Sequence, residues 1–359
     1  MHAWFHVLKS YERHISAAAM AGGFAFDNVA YGRVDHPITQ TLLVVYLSVA
    51  GLSIALLHYL EMHEEWQSKA VVKLRVYLPA LAQFMLGSLW SAFLVFYARS
   101  GAFSGSWPFF LILGAIFIGN EVFRQYHARF VFTSILFFFA LLSYAIFMVP
   151  VFTHTIGELT FLVSGAAAFV VFAMVLGLLN RLSKYTLGRL RWQIVGGAAG
   201  VFAVVNALYF LNVLPPLPLA LQKAGVFHSI KHTGDVYVAK GEAPSWTVWL
   251  GLPQVVHAER GKPIYVFSAV FAPIRLSTTI IHHWQRYDAE KGKWLSVQRI
   301  KYAIVGGRQN GYRGYTKKTG PREGLWRVDI DLEDGRMIGR TEFTVIRDDI
   351  PPLQKTILY

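Results

Sequence analysis

The sequence predicts a membrane α-helical bundle of seven spans followed by an all-β domain, an immunoglobulin-like sandwich. Three observations lead to this fold class. Hydrophobic residues make up 54% of the 359 residues and charged residues only 15%, whereas soluble domains carry about 25% charged residues. Long apolar runs fill the first 212 residues, and short alternating runs bounded by turn residues follow them. An ordinary soluble enzyme is therefore not expected.

The membrane spans are the first set of predicted elements. A helix needs roughly 20 mostly apolar residues to cross the hydrocarbon of a bilayer. Seven segments meet this requirement, at residues 14–32, 38–60, 76–97, 106–123, 130–152, 159–179 and 192–212. Together they predict a transmembrane domain over residues 1–212.

The distribution of Lys and Arg predicts how these spans are oriented. With a cytoplasmic N-terminus, the cytoplasmic loops hold 11 Lys and Arg residues, and the outer loops hold only Arg33 and Arg99. Basic residues of short loops are retained on the cytoplasmic side of the membrane. The count therefore predicts a cytoplasmic N-terminus and places the C-terminal domain outside the cytoplasm.

A Pro-rich linker is predicted at 213–233, because its three prolines at 215, 216 and 218 cannot continue a helix. Residues 234–359 then show the alternation of β-strands. The strands are expected at 235–239, 247–250, 264–271, 277–287, 294–305, 325–331 and 341–346, with hairpin turns at 288–292 and 333–335.

The run at 326–331 shows the alternation most clearly, because successive side chains of a strand point to opposite faces. The apolar residues expected to face the core are Trp326, Val328 and Ile330, and the charged residues expected to face water are Arg327, Asp329 and Asp331. The same rule places the adjacent His282 and His283 on opposite faces, so they cannot bind one metal ion together.

Several motifs of the β domain resemble those of a bacterial family of multi-span inner-membrane proteins that end in a domain of unknown function, numbered 2914. These are His283-Trp284, Trp294, the GYRGY motif at 311–315 and the GLWRV motif at 324–328. The resemblance covers the β domain well and the spans more loosely. It implies a bacterial inner-membrane protein with a periplasmic or extracellular β domain, and it implies no activity.

Composition excludes several classes of site. The chain has no Cys, which rules out disulfides, thiolate zinc sites and a cysteine nucleophile. The net charge of +13 is typical of nucleic-acid-binding proteins, but the basic residues of the first half are explained as topological anchors, and no nucleic-acid partner is expected. No motif of a catalytic class is present. We expect no metal and no cofactor, and whether the protein is an enzyme stays open.

The segment 306–324 is the strongest candidate for a binding loop. It carries four more basic than acidic residues. Arg and Lys bind carboxylates and phosphates, and tyrosine rings offer faces on which sugar rings can stack. An anionic envelope glycan or a lipid headgroup is therefore the expected ligand, with packing on the membrane surface as the alternative. The candidate binding residues are Arg308, Tyr312, Arg313, Tyr315, Lys317 and Lys318.

Two polar residues within the spans support a different hypothesis. A charged group at the centre of a span costs about 2.5–3.5 kcal/mol on insertion scales, so Asp27 requires a partner or a function, and Asn206 is a candidate partner. Asp27 is either a structural ion pair or part of a polar site in a transporter or a membrane enzyme acting on an envelope lipid or polymer. The small residues Gly196 and Gly200 form a GxxxG pair, which predicts helix packing within one bundle or, alternatively, a homodimer.

Overall fold

The computed structural model describes residues 36–63, 65–66, 68–100, 111, 126–182, 188–214, 218–234, 236–243, 252–273, 276–306 and 311–358. The chain divides into two compact units. The helical unit contains the helices that precede Leu211, and the β unit contains Leu211–Tyr359 together with two short connecting segments.

Five helices of the described residues are long and apolar enough to cross a membrane. They are α1 (Pro37–Met62), α2 (Lys69–Ser100), α3 (Tyr126–Thr153), α4 (Glu158–Leu182) and α5 (Gly188–Phe210). Each overlaps one predicted span, and the ends agree to within four residues except that α2 begins seven residues before the predicted start at 76. The predicted spans at 14–32 and 106–123 lie outside the described residues, apart from Leu111, so the structure supports five spans and not the predicted seven.

Helix α3 is the centre of the helical unit. Its apolar window is 72% buried, compared with 22–53% for the other four helices. Aromatic rings of α3 contact two neighbouring helices: Phe139 lies 4.6 Å from Trp90 of α2, and Phe138 lies 4.6 Å from Phe169 of α4. Because lipid offers no hydrophobic gain over another helix, close packing of this kind is what holds such bundles together.

A small residue allows one further close contact in the helical unit. A Cβ atom added to Gly197 of α5 would collide with the Ile135 side chain of α3. By contrast, Gly196 and Gly200 of the predicted GxxxG pair have no atom of the described residues within 4 Å of such a Cβ. The pair therefore does not pack on the described helices, and its predicted contact in the bundle is not among them.

The β unit contains eleven strands among its described residues. They are β1 (Ala220–Phe227), β2 (Ser229–Thr233), β3 (Val236–Gly241), β4 (Gln254–His257), β5 (Pro263–Phe271), β6 (Ser277–Asp288), β7 (Lys293–Val305), β8 (Tyr312–Thr319), β9 (Gly324–Leu332), β10 (Met337–Ile346) and β11 (Gln354–Leu358).

These strands form three sheets. The five-stranded sheet has the order β4-β10-β9-β6-β7, the middle sheet has the order β1-β5-β8, and the terminal sheet has the order β11-β3-β2. All pairs are antiparallel except β10 with β4. The predicted hairpin turns are confirmed: Asp288 Oδ1 accepts hydrogen bonds from the backbone N–H groups of Glu290 and Lys291, and Gly335 has a φ of 85°.

The middle sheet lies between the other two. On one side, Ile264 and Val266 of β5 pack with Trp284 and Trp326 of the five-stranded sheet. On the other side, Phe267 of β5 packs with buried residues of the terminal sheet. Since both faces of β5 are covered, the unit has three layers where the sequence predicted a two-layer sandwich.

Three predicted features of the β unit need correction. The segment 213–233, predicted as a linker, contains strands β1 and β2, which pair with β5 and β3. The segment 306–324, predicted as a loop, contains strand β8 paired with β5. Strand β4 and strand β11 were also not predicted, whereas the predicted strand at 247–250 lies outside the described residues.

Candidate functional site

A group of tyrosines lies where strand β8 of the middle sheet meets strand β3 of the terminal sheet. The ring centroid of Tyr315 is 5.9 Å from that of Tyr237 and 5.9 Å from that of Tyr265. Tyr315 is 39% exposed. Arg313 and Lys317 lie two residues to either side of it and therefore share its face of β8. We call these five residues the tyrosine–basic patch.

The basic groups of this patch form no ion pair with the part of the chain that the structure describes. No carboxylate of the described residues lies within ion-pair distance of Arg313 or Lys317. The Arg313 guanidinium lies 5.7 Å from the ring centroid of Tyr237, and its Nη1 donates only a long 3.4 Å hydrogen bond to the carbonyl of Leu358. Its Nε is buried and has no hydrogen-bond partner among the described residues. The patch therefore combines aromatic faces with two basic groups that have no carboxylate partner among the described residues.

Strand periodicity divides the predicted binding residues between two faces. Arg313, Tyr315 and Lys317 share the patch face, whereas Tyr312 packs against the core of the five-stranded sheet. Lys318 shares the face of Tyr312 by the same alternation. Arg308 lies outside the described residues. The structure thus brings together three of the six predicted residues.

Two residues of the patch were not found from the sequence. Tyr237 and Tyr265 lie on β3 and β5, far from β8 in the chain. Tyr265 pairs directly with Lys317 in the register of β5 with β8. The sequence signal for β5 was an apolar run interrupted only by Ser268 and without alternation, because this strand is buried on both faces.

Behind the patch, a buried polar network joins strands of the middle and five-stranded sheets. His282 is fully buried, with Ser268 Oγ 2.8 Å from its Nε2 and Thr316 Oγ1 2.9 Å from its Nδ1. The Tyr302 hydroxyl lies 2.6 Å from Ser268 Oγ, and Trp284 Nε1 donates to Thr316 Oγ1 at 2.9 Å. These hydrogen bonds satisfy groups that would be costly to bury alone.

Burial determines the charge states in this network. It lowers the pKa of His282 from 6.5 to about 3, so the imidazole is neutral and can accept a hydrogen bond at one ring nitrogen and donate one at the other. Burial also raises the pKa of the Tyr302 phenol, against the hydrogen bond from Ser268, which lowers it. The network lies in the core and is closed to a ligand, so we assign it a structural role.

The glycines of the GYRGY motif make room for this network. A Cβ atom on Gly314 would lie 2.5 Å from the ring of Tyr302, which passes β8 to reach Ser268. Gly311 has a φ of 78° and lies close to the backbone of Val270, a conformation that favours glycine. This motif, which carries the family resemblance, is therefore explained in part by packing.

A second polar cluster covers the outer face of the five-stranded sheet. Asp329 is buried and accepts two hydrogen bonds from Arg340, at 2.5 and 3.1 Å. It also accepts one at 2.8 Å from Gln285, whose carbonyl oxygen accepts from Arg327 at 3.0 Å. The Arg327 guanidinium lies 4.3 Å from the ring centroid of Trp294. Most of these groups bond to one another, although the buried Arg327 Nε has no hydrogen-bond partner among the described residues; such mutual bonding is typical of a structural cluster.

Asp331 extends this cluster. Burial, and then the charge of Asp329, raise the pKa of its carboxyl from 3.8 to about 7. His283 lies 3.9 Å from Asp331 and also bonds Ser296 at 2.8 Å. The prediction that Asp329 and Asp331 face water is wrong: both are less than 9% exposed. The prediction that His282 and His283 lie on opposite faces is confirmed.

A third cluster links the ends of three strands. The Glu242 side chain is 6% exposed, and its two oxygens lie 2.7 Å from His228 Nε2 and 2.7 Å from His257 Nδ1. The backbone N–H of His257 also donates to Glu242 at 2.7 Å. No group of three or more potential metal ligands is arranged around an ion position in the described part of the chain. This cluster therefore acts as a clamp between strands.

The proposed polar site in the spans is described only in part. Asn206 Nδ2 donates a 2.8 Å hydrogen bond to the carbonyl of Phe202, four residues earlier in α5. Asp27 lies outside the described residues. The structure therefore does not test a contact between Asp27 and Asn206.

Comparison with known proteins gives a family only for part of the β unit. A family model described as a protein of unknown function (DUF2914) matches residues 277–345, which include β6 to β9 and most of β10. No curated protein matches the sequence.

Two solved structures resemble the chain weakly. An immunoglobulin-like protein from Pseudomonas aeruginosa is 10% identical over 34% of this chain and 97% of its own, with a TM-score of 0.19. The alkylpurine DNA glycosylase AlkC from Pseudomonas fluorescens is 12% identical over 87% of this chain and 83% of its own, with a TM-score of 0.22. TM-scores this low carry no argument about fold or function. The comparisons thus establish one point, that this β unit contains a match to a domain of unknown function.

Proposed function

We propose that the protein is a membrane-anchored binding protein whose tyrosine–basic patch holds an anionic glycan of the cell envelope, without catalysis. The observation that carries the proposal is the exposed Tyr315 ring between Arg313 and Lys317, neither of which has a carboxylate partner in the described residues. A sugar ring can stack on tyrosine, and a carboxylate or phosphate substituent can pair with Arg and Lys.

The position of the patch also favours binding. Tyrosine rings carry large contact areas at a low entropic cost of ordering, which is why they are enriched in binding surfaces. Here three rings come from three strands of two packed sheets, so their spacing is fixed by the fold. Unpaired charges at such a surface contribute most to recognition of an oppositely charged ligand and to its rate of association.

The remaining features of the proposal concern location. We propose that residues 14–32 and 106–123 supply two further spans, which makes seven, in a bacterial inner membrane. The excess of Lys and Arg in alternate loops then supports a cytoplasmic N-terminus and a periplasmic or extracellular β unit, where an envelope glycan would be accessible. The middle and five-stranded sheets would correspond to an immunoglobulin-like sandwich, and the GxxxG pair in α5 could support a homodimer.

The alternatives are a transporter or a membrane enzyme with a polar site near Asp27. No described contact favours either one, since the amide of Asn206 bonds to its own helix. The same patch could instead bind a lipid headgroup, which presents phosphate without sugar rings. The test below includes a probe of that kind.

The proposal is tested by titrating the full-length protein in detergent with polygalacturonate, an acidic polysaccharide, by calorimetry. We expect binding that Tyr315→Ala weakens about tenfold, in the range found for aromatic residues at binding hot spots, and that Lys317→Glu weakens further. Lys318→Glu is the matched control, because this lysine lies on the same strand but on the opposite face. Neutral dextran and glycerol phosphate serve as the uncharged glycan and the headgroup probe.

Two results would contradict the proposal. If polygalacturonate does not bind, the patch is not a glycan site. If Lys318→Glu weakens binding as much as Lys317→Glu does, binding depends on the total charge of β8 and not on the tyrosine–basic patch. Binding of glycerol phosphate in place of polygalacturonate would assign the patch to a lipid headgroup.

A further inference from the structure

The terminal sheet has a second basic surface, on the side that faces away from the middle sheet. Strands β2, β3 and β11 contain no acidic residue. The lysines on this outer face, all exposed, are Lys231, Lys240 and Lys355. Ile357 of β11 lies among them and is 44% exposed. The opposite face of the sheet is buried against Phe267.

The register brings these residues together. Lys240 of β3 pairs directly with Lys355 of β11. Val238, two residues before Lys240 and therefore on the same face, pairs with Ile357 on one side and with Lys231 on the other. The outer face is therefore a compact mixture of three ammonium groups and two aliphatic side chains.

This arrangement is unfavourable for the isolated sheet. Like charges directly opposite each other on neighbouring strands destabilise a sheet, and no carboxylate of the described residues lies within ion-pair distance of the three lysines. Lysines on edge strands often prevent unwanted strand pairing, which could account for β2 and β11. Lys240, however, lies on the central strand β3, where no edge needs protection.

We propose that this outer face of the terminal sheet lies on anionic lipid headgroups of a bilayer. The proposal is independent of glycan binding, because it involves none of the five residues of the tyrosine–basic patch. Lysines near an anionic membrane surface are attracted to it, each favouring binding about fivefold. The exposed Ile357 side chain between the lysines can contact the headgroup–acyl boundary, with the half-buried Val238 beside it. Interfacial elements of membrane proteins likewise combine basic and apolar residues.

The connection between the last helix and the β unit is short. Helix α5, which is long and apolar enough to span a membrane, ends at Phe210, and β1 begins ten residues later at Ala220. Ten residues reach at most about 35 Å when fully extended. Such a short tether gives the β unit a high effective concentration at the membrane surface, so a modest attraction is sufficient.

The absence of Cys from the chain allows a direct test with one introduced thiol. Full-length Ile357→Cys, labelled with an environment-sensitive fluorophore, is reconstituted into nanodiscs of phosphatidylcholine with or without about 30% phosphatidylglycerol. We expect a blue-shifted emission, quenched by nitroxide-labelled lipid, only in the anionic discs. Salt at about 1 M should remove the shift, because it shortens the screening length to about 3 Å. A label at Val305→Cys, on β7, should not respond.

Charge reversal shows whether the lysines are responsible. Lys240→Glu with Lys355→Glu should lower the ratio of docked to undocked protein at least about 30-fold. Lys291→Glu with Lys293→Glu, which changes the net charge equally at the exposed β6–β7 hairpin, should leave that ratio unchanged. The milder pair Lys240→Gln and Lys355→Gln tests the same point if the reversed variant does not fold, as judged by circular dichroism.

Three results would overturn the proposal. The first is an emission that is the same in neutral and anionic discs, and the second is equal docking by the parent and by the Lys240 and Lys355 variants. The third is a response to dissolved dextran sulfate but not to phosphatidylglycerol, which would assign the face to a soluble polyanion. Loss of polygalacturonate binding at the patch would leave this proposal intact.

Discussion

The buried imidazole of His282 should make the β unit sensitive to acid. In the folded protein its pKa is about 3, and in the unfolded chain it returns to 6.5. Between these values the unfolded chain binds more protons, so the free energy of unfolding must fall as pH falls. The contribution is fully present above pH 6.5. Its loss between about pH 7.5 and about pH 5 amounts to about 2 kcal/mol.

The comparison that isolates this effect uses His282→Gln. A glutamine amide can still accept from Thr316 and donate to Ser268, but it does not titrate. Asp331 acts in the opposite direction, because its raised pKa gives stability that is lost as pH rises through about 7. Since Asp331 is present in both proteins, its effect cancels in the difference between them.

Hydrogen exchange measured by mass spectrometry on the full-length protein provides the assay. Protection of the amides in Ser277–Asp288, corrected for the intrinsic pH dependence of exchange, gives the free energy of opening of β6. We expect the free energy of opening of the parent, minus that of His282→Gln, to fall by about 2 kcal/mol as the pH is lowered from about 7.5 to about 5. A difference that does not change with pH would refute the assignment of a neutral, buried imidazole.

Three further predictions concern packing and the carboxylate clamp. Glu242→Gln should lower the free energy of unfolding of the β unit by about 2 kcal/mol, measured by urea denaturation. The reason is that the charged carboxylate, which accepts three hydrogen bonds, is replaced by a neutral amide. Gly314→Ala should cost about 1–3 kcal/mol in the same assay by displacing the Tyr302 ring; an unchanged midpoint would show that the ring can move freely. In the helical unit, Gly197→Leu should lower thermal stability in detergent, whereas Gly196→Leu should not, and the reverse order would show that a partner covers Gly196.

Five helices of the described residues could be predicted closely from the sequence, because each is an apolar run long enough to cross a membrane. Helix α4 (Glu158–Leu182) was predicted at 159–179, and α3 (Tyr126–Thr153) at 130–152. The strands with a solvent-exposed or polar outer face, such as β6 and β7, were also predicted, because apolar and polar residues alternate along them.

Prediction from the sequence failed for strands whose tertiary packing removes the alternation of polar and apolar residues. Strand β5 is covered on both faces, and its mostly apolar sequence did not indicate that a third layer packs on it. Strand β8 has glycines at positions where the Tyr302 ring and a neighbouring backbone approach, and these made it resemble a loop. The prolines before β1 suggested a linker over 213–233, a segment that contains strands β1 and β2.

The candidate site could be predicted only in part for the same reason. The excess of basic residues on β8 was visible in the sequence, and Arg313, Tyr315 and Lys317 do share a face. Which tyrosines complete the patch depends on the pairing of β8 with β5 and on the contact with β3, neither of which local sequence encodes. The ionic cluster around Asp329 was missed because a charged residue of an alternating strand is ordinarily assumed to face water.

The most direct test of glycan binding compares polygalacturonate with its methyl ester, for the full-length parent and for Arg313→Gln with Lys317→Gln. Esterification removes the carboxylate charge and keeps the sugar rings, so the four affinities form a thermodynamic cycle. If the patch recognises the carboxylates, esterification should weaken binding to the parent about tenfold and binding to the variant less than about twofold. Equal losses in both proteins would contradict the account, because the charge of the glycan would then be recognised elsewhere.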